Sequence, residues 1–159
     1  MEQYLCGSID HVAIAVTDLD EAVRWYCENL GFVEVERRLT QGNTTAMMSA
    51  VMKSGAAVVV LLQGTSPDSQ VSKFVEKFGP GVQHLAFSVT NLDSALERLQ
   101  QRGAAADIDI VEGVGIRQVF LRRDPGSAVR VELIERNGGR FNDRSVETMF
   151  RAFEEKGLY

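Results

Sequence analysis

The stretch Ile9-Asp-His-Val-Ala-Ile-Ala-Val-Thr-Asp-Leu-Asp-Glu-Ala22 aligns without a gap on Val82-Gln-His-Leu-Ala-Phe-Ser-Val-Thr-Asn-Leu-Asp-Ser-Ala95, 73 residues further along. In a chain of 159 residues that offset is nearly half the length, far longer than a solenoid period, so it marks two copies of one module. Each copy opens with an alternating apolar run, 9 to 16 and 82 to 89, the period-2 pattern of a strand with one face on a core. Thr17-Asp18 and Thr90-Asn91 follow, with short polar side chains suited to helix N-caps. Leu19, Ala22, Val23 and Tyr26, and then Leu92, Ala95, Leu96 and Leu99, recur at helical spacing, with Gly31 and Gly103 as stops.

Working outward, strands are expected over 32 to 38, 44 to 53 and 56 to 63, and again over 105 to 111, 115 to 122 and 128 to 135. Lys53-Ser-Gly-Ala56 and Asp124-Pro-Gly-Ser127 supply turns. The expected fold is α+β: two tandem βαβββ modules, about 8–63 and 82–136, in a single domain. A linker helix is expected over 68–78. A C-terminal helix, about 143–156, is capped by Asn142-Asp143, carries Val146, Met149, Phe150 and Phe153 on one stripe, and stops at Gly157. That helix either packs on the sheet or acts as a lid.

Composition narrows the function classes. The chain is 45% hydrophobic and 25% charged, ordinary globular values that argue against disorder beyond the first few residues. Seventeen Lys and Arg against 22 Asp and Glu leave a net charge of −5, which repels polyphosphate, so no nucleic-acid partner is expected. The longest apolar stretch, 55 to 62, is far short of the roughly 20 residues of a membrane span, and no basic segment with a hydrophobic run opens the chain, so no membrane or export is expected. Cys6 and Cys27 are too few for a disulfide framework and are not at metal-ligand spacing; plain thiols in a reducing cytoplasm are expected.

The chain has two histidines, and the repeat superimposes them: His11 and His84 are each the third residue of an equivalent strand. Alternation groups His11 with Ala13 and Ala15, and His84 with Ala86 and Ser88, so both imidazoles share a face with small residues, as a cavity requires. A lone strand histidine is ordinarily a packing or surface residue, but two at repeat-related positions are harder to explain that way. Glu132 interrupts the apolar run Val129-Arg-Val-Glu-Leu-Ile-Glu-Arg136, where desolvating a carboxylate is unfavourable unless a positive group meets it. Arg130 on the same face could be that group in a simple salt bridge. With the histidines, the alternative is a site of two imidazoles and one carboxylate, which leaves about three coordination positions open and suits Fe(II) or a similar divalent ion.

These residues resemble the vicinal oxygen chelate superfamily, and within it the catalytic C-terminal half of the 4-hydroxyphenylpyruvate dioxygenase and hydroxymandelate synthase branch. The likeness runs through Ile9-Asp-His11, Ser49-Ala-Val-Met-Lys-Ser-Gly55, Ser69-Gln-Val-Ser-Lys-Phe74, Gly79-Pro-Gly-Val-Gln-His-Leu-Ala86, Arg117-Gln-Val-Phe120, Val131-Glu-Leu-Ile-Glu-Arg136 and Asn137-Gly-Gly-Arg-Phe141. By that resemblance the two modules form one curved mixed sheet around a metal cavity, in which His11, His84 and Glu132 hold iron, with Mn, Co, Ni, Zn or Mg as alternatives. Ser49 and Gln118 stand at polar substrate contacts, though each could instead satisfy strand backbone groups. Gln63 replaces a family asparagine, and Phe141 and Phe150 belong to the segment closing the site. Gln83 and Arg130 are the neighbours expected to orient the ligands.

The resemblance implies an Fe(II)-dependent oxygenase that chelates a 2-oxo acid or related small molecule and consumes dioxygen. The family's dioxygenases carry an additional N-terminal half, and the 48 residues from His84 to Glu132 are fewer than is usual there. A second reading is a non-redox metal lyase, epimerase or glyoxalase-type enzyme. Those draw a fourth ligand or base from strands where this chain has no Asp, Glu or His between Leu39 and Gln63. A third is a metal-free binding protein of the resistance type. Small proteins of the superfamily often pair, so a homodimer is expected.

Overall fold

Local capping chemistry sets the helix starts. Asp18, Asn91 and Asn142 are all extended, and their side chains accept from the backbone N–H three residues on, at 2.9, 2.8 and 2.9 Å. Gly31 and Gly157 close two of the helices in the left-handed conformation, φ 68° and 62°, which glycine adopts without a Cβ penalty. In the computed structural model, which describes residues 4–159, the order is β1 (Ile9–Ala15), α1 (Leu19–Leu30), β2 (Val33–Gln41), β3 (Ala46–Ser54), β4 (Ala57–Gly64) and α2 (Gln70–Phe78). It continues with β5 (Gly81–Ser88), α3 (Leu92–Gln101), β6 (Val111–Gly113), β7 (Ile116–Phe120), β8 (Arg130–Arg136) and α4 (Asp143–Lys156).

The eight strands form one curled mixed sheet in the order β2-β3-β4-β1-β5-β8-β7-β6. Each module contributes four adjacent strands, β1 pairing parallel with β4 and β5 parallel with β8, and the halves join through antiparallel β1 and β5. This is the expected two-module architecture. One face is covered by α1, packed through Leu19, Ala22 and Val23 on Ala50, Met52 and Leu61, and by α3, packed through Leu92 and Ala95 on Val119 and Leu133. On the other face α2 places Val71 and Phe74 against Ala13, Ala15 and Leu62. There α4 touches both outer strands, β2 and β6, so one helix bridges the two edges of the curled sheet. No helix among the described residues is long and apolar enough to cross a membrane.

The second module departs from the expected strand over 105 to 111. Only Val111–Gly113 pairs as a strand, preceded by an isolated bridge from Ala106 to Leu121. The side chain of Asp107 is taken by Arg130, and its carbonyl accepts from Lys156 of α4 at 2.6 Å. That segment therefore serves side chains of two other elements instead of extending a ladder.

Candidate metal centre

Two irregularities at the sheet centre shape the site. Between Ile9 and His11 the β1–β5 register slips by one, leaving Asp10 as the extra residue. Between Ala13 and Ile14 it slips back, leaving Gln83 as the extra residue on β5. The two bulges occupy repeat-equivalent positions, each immediately before a histidine. A bulge re-aims side chains that strict alternation would send to opposite faces. Asp10 Oδ1 lies 2.8 Å from His11 Nδ1, and Gln83 Oε1 is hydrogen-bonded to His84 Nδ1. Both acceptors require Nδ1 to carry hydrogen, which leaves each Nε2 for the cavity.

Those Nε2 atoms converge on one oxygen: Glu132 Oε2 is 3.3 Å from His11 Nε2 and 3.4 Å from His84 Nε2. One ligand atom from each of the three residues lies within 4.8 Å of the others. Across the sheet His11 is opposite Ala86, and Ala86 is opposite Glu132, so His11 and Glu132 meet over a methyl group that is fully buried. The other carboxylate oxygen, Oε1, accepts from Gln118 Nε2 at 2.6 Å. Ligands about 2.1 Å from one ion and at right angles are about 3 Å apart, and both imidazole–carboxylate separations are close to that, as a shared divalent cation requires.

The electrostatics agree. Burial opposes charge on Glu132, but hydrogen bonding and charge from His11, then the charge of His84 and the Gln118 amide, hold its pKa below the usual value. Burial also opposes charge on His11, yet its bonds to Asp10 and Glu132 raise it to about 9. His84, desolvated and beside a cationic His11, is pushed down to about 3 despite Glu132. Ligation requires deprotonated donor atoms, so a divalent cation would displace protons from this cluster.

The centre opens into a cavity whose empty space, open solvent at the mouth included, is about 690 Å³. Ser49 lies in its wall beside Met47, Val51, Val60 and Leu62, and Gln118, Phe141 and Phe150 line it too. Phe141 meets the His11 ring edge-on at 5.3 Å, and Phe120 meets His84 at 5.0 Å. The stripe Val146, Met149, Phe150 and Phe153 of α4 faces the same space, so this helix forms a cavity wall. Of the residues expected to orient ligands, Gln83 does contact His84, whereas Arg130 does not pair with Glu132. It turns to Asp107 and donates to the Leu121 and Tyr159 carbonyls.

Gln63 corrects an expectation. It sits on the opposite face from Leu62, where its Oε1 accepts the Leu19 N–H at 2.7 Å and satisfies the first turn of α1. Glu135 does the same for Leu92 of α3 at 2.8 Å, which makes this a repeat-related structural device. Sequence reasoning missed Asp10, Arg38 and Gln70. Asp10 was signalled by the repeat, which aligns it with Gln83. Arg38 lines the cavity but is engaged by Glu36 and Asp143. Gln70 donates to the Phe150 carbonyl at 3.4 Å, and its Oε1, like Gln118 Oε1, is a buried acceptor with no partner among the described residues.

The sequence and fold are shared with known proteins. A family model described as the Glyoxalase/Bleomycin resistance protein/Dioxygenase superfamily matches residues 8–133. A 4-hydroxyphenylpyruvate dioxygenase from Caenorhabditis briggsae is 27% identical over 106 residues, 66% of this chain but only 27% of that protein. The uncharacterized protein YqjC of Bacillus subtilis (strain 168) is 27% identical over 137 residues, covering 85% of this chain and 96% of that one. Among solved structures, a mutant 4-hydroxymandelate synthase from Streptomyces coelicolor superposes with a TM-score of 0.86 at 21% identity, over 96% of this chain and 55% of that one. Methylmalonyl-CoA epimerase from Mycobacterium tuberculosis superposes with a TM-score of 0.72 at 31% identity, over 86% and 92%.

Proposed function

The chain belongs to the glyoxalase/bleomycin resistance/dioxygenase superfamily, and from that premise we propose that it is a non-haem Fe(II)-dependent oxygenase acting on a 2-oxo acid or a related small oxygen-chelating substrate. The observation that carries this reading is the composition of the space around the ligands. His11, His84 and Glu132 supply three donors, and the residues of β3 and β4 that face them are Met47, Ser49, Val51, Val60 and Leu62. That wall presents no carboxylate or imidazole to serve as a fourth ligand or as a proton-transfer base. Three protein donors on one side of an ion leave positions for a bidentate substrate and dioxygen.

Fe(II), when bound, supplies the activation of dioxygen that couples decarboxylation of a 2-oxo acid to oxidation of the substrate. The protein's part is positional. Asp10 and Gln83 fix the two imidazoles with Nε2 toward the cavity, and Gln118 orients Glu132. Phe120, Phe141, Phe150 and Phe153 line the ligand-facing side with apolar surface. Gln70 and Gln118 offer buried acceptors to a substrate hydroxyl or amide, and Ser49 a hydroxyl.

Oxygen consumption by anaerobically loaded Fe(II) protein, measured across a panel of 2-oxo acids, tests the proposal. Uptake with stoichiometric carbon dioxide release for at least one acid is the expected result. Metal-loaded protein that takes up no oxygen with any of them overturns it. The match to 92% of a methylmalonyl-CoA epimerase at 31% identity favours a second reading, a non-redox metalloenzyme that moves a proton α to a carbonyl. That version requires solvent deuterium to enter the substrate under anaerobic conditions.

A further inference from the structure

The repeat makes the two histidines equivalent, yet what stands behind them differs. His84 is backed by the neutral amide of Gln83, whereas His11 is backed by the carboxylate of Asp10, only 14% exposed, which is itself gripped by Arg136 at the end of β8. The grip is a fork: Arg136 Nε donates to Asp10 Oδ2 at 2.6 Å and Nη2 to Oδ1 at 2.9 Å. A two-point guanidinium–carboxylate contact fixes orientation as well as charge. Oδ1, held from one side by Nη2, accepts from His11 Nδ1 on the other.

The same guanidinium reaches a second support of His11. Its Nη1 donates to the Gly139 carbonyl at 3.0 Å, and its plane lies over the Phe141 ring at 4.8 Å. Phe141 is the ring that meets His11 edge-on. Arg136 thus joins the polar and the aromatic neighbour of one imidazole, although it does not touch that imidazole itself.

We propose that Arg136 is a positioning residue of the metal centre: through Asp10 and through the Gly139–Phe141 segment it fixes the orientation of His11 from two sides. This rests on the metal-binding reading of the triad and not on the reaction. Partners behind a ligating histidine typically change metal affinity by about 10- to 100-fold when removed.

Titration of the full chain with Co(II), followed by the visible absorption of the bound ion, tests it. Arg136→Gln is expected to weaken binding by about 10- to 100-fold and to alter the position or intensity of the Co(II) bands, because the His11 donor is no longer held. Asp10→Asn is expected to do likewise. Since Arg136 acts through Asp10, the double variant should lose much less than the product of the two single losses. Arg117→Gln, which removes a networked arginine from the pairs with Asp93, Glu112 and Glu135, should leave affinity and spectrum unchanged.

Affinity within twofold of wild type with the same spectrum, or losses that multiply fully, overturns the proposal. Should Arg136→Gln fail to fold by circular dichroism, Arg136→Lys decides. Its single ammonium cannot span both Asp10 oxygens and the Gly139 carbonyl, so a severalfold loss is expected and wild-type behaviour overturns the role. A wild-type protein that takes up no Co(II) removes the metal reading as a whole. An unchanged Arg136→Gln beside a wild type that binds removes only the role of Arg136.

Discussion

At the scale of single residues, the decisive feature is how little volume separates the ligands. His11 and Glu132 come from strands that are not neighbours, and they meet because the residue between them in the row is Ala86. Ala86→Leu would put a branched side chain where the ion should sit. It is expected to reduce Co(II) uptake by more than tenfold while far-UV circular dichroism stays native. Gln63 gives the converse test. It satisfies the Leu19 N–H and lies away from the cavity, so Gln63→Ala should destabilise the fold by about 1 kcal/mol, the range of a lost helix-end partner. Denaturant unfolding reads that loss, and Co(II) affinity should not change; a substrate-contact role would have produced the opposite pattern.

At the scale of elements, α4 decides whether the curled sheet encloses anything. Its apolar stripe was legible from spacing, but what the stripe meets was not. Glu154 ties the helix to the β2–β3 turn, accepting from the backbone N–H of Asn43 and from the N–H, at 2.9 Å, and hydroxyl of Thr45. A charge-assisted set of this kind is worth about 1–3 kcal/mol. Glu154→Ala is therefore expected to lower the denaturation midpoint correspondingly and to speed amide hydrogen exchange in residues 42–45. The segment before α4 is equally constrained: Gly139 N donates to Gly115 O at 2.8 Å, and a Cβ on Gly139 would stand 2.2 Å from that backbone. Gly139→Ala must push the 137–141 segment away from the β6–β7 turn, and Phe141 with it. Lower thermal stability together with weaker Co(II) binding is the expected pair of effects.

At the scale of the whole molecule, the proposed ion is a cross-link between modules. His11 belongs to the first, and His84 and Glu132 to the second. Binding to the folded state alone stabilises it by about 2.7 kcal/mol at a hundredfold excess over Kd. For a chain of this size that is about 5–10 °C in Tm. Thermal scans should show such a rise with Co(II), its reversal by chelator, and its loss in either His11→Ala or His84→Ala. If one histidine variant kept the full shift, the modules would not be sharing an ion.

The sequence by itself determined the two-module architecture, because a 73-residue repeat with its strand alternation, caps and glycine stops is local information. It also determined which side chains could form a metal site, since two repeat-related histidines and a carboxylate within an apolar strand are legible without coordinates. Strand alternation fixes only relative sides within one strand, so it could not say that Gln63 turns from the cavity while Leu62 enters it. Nor could spacing show that bulges at Asp10 and Gln83 swing those side chains onto the imidazoles, or that Arg130 turns to Asp107 while Arg136 holds Asp10. Those outcomes depend on cross-strand register and on contacts between residues more than a hundred positions apart, as with Asp10 and Arg136. Only packing the whole sheet, with α4 laid across its two edges, fixes them.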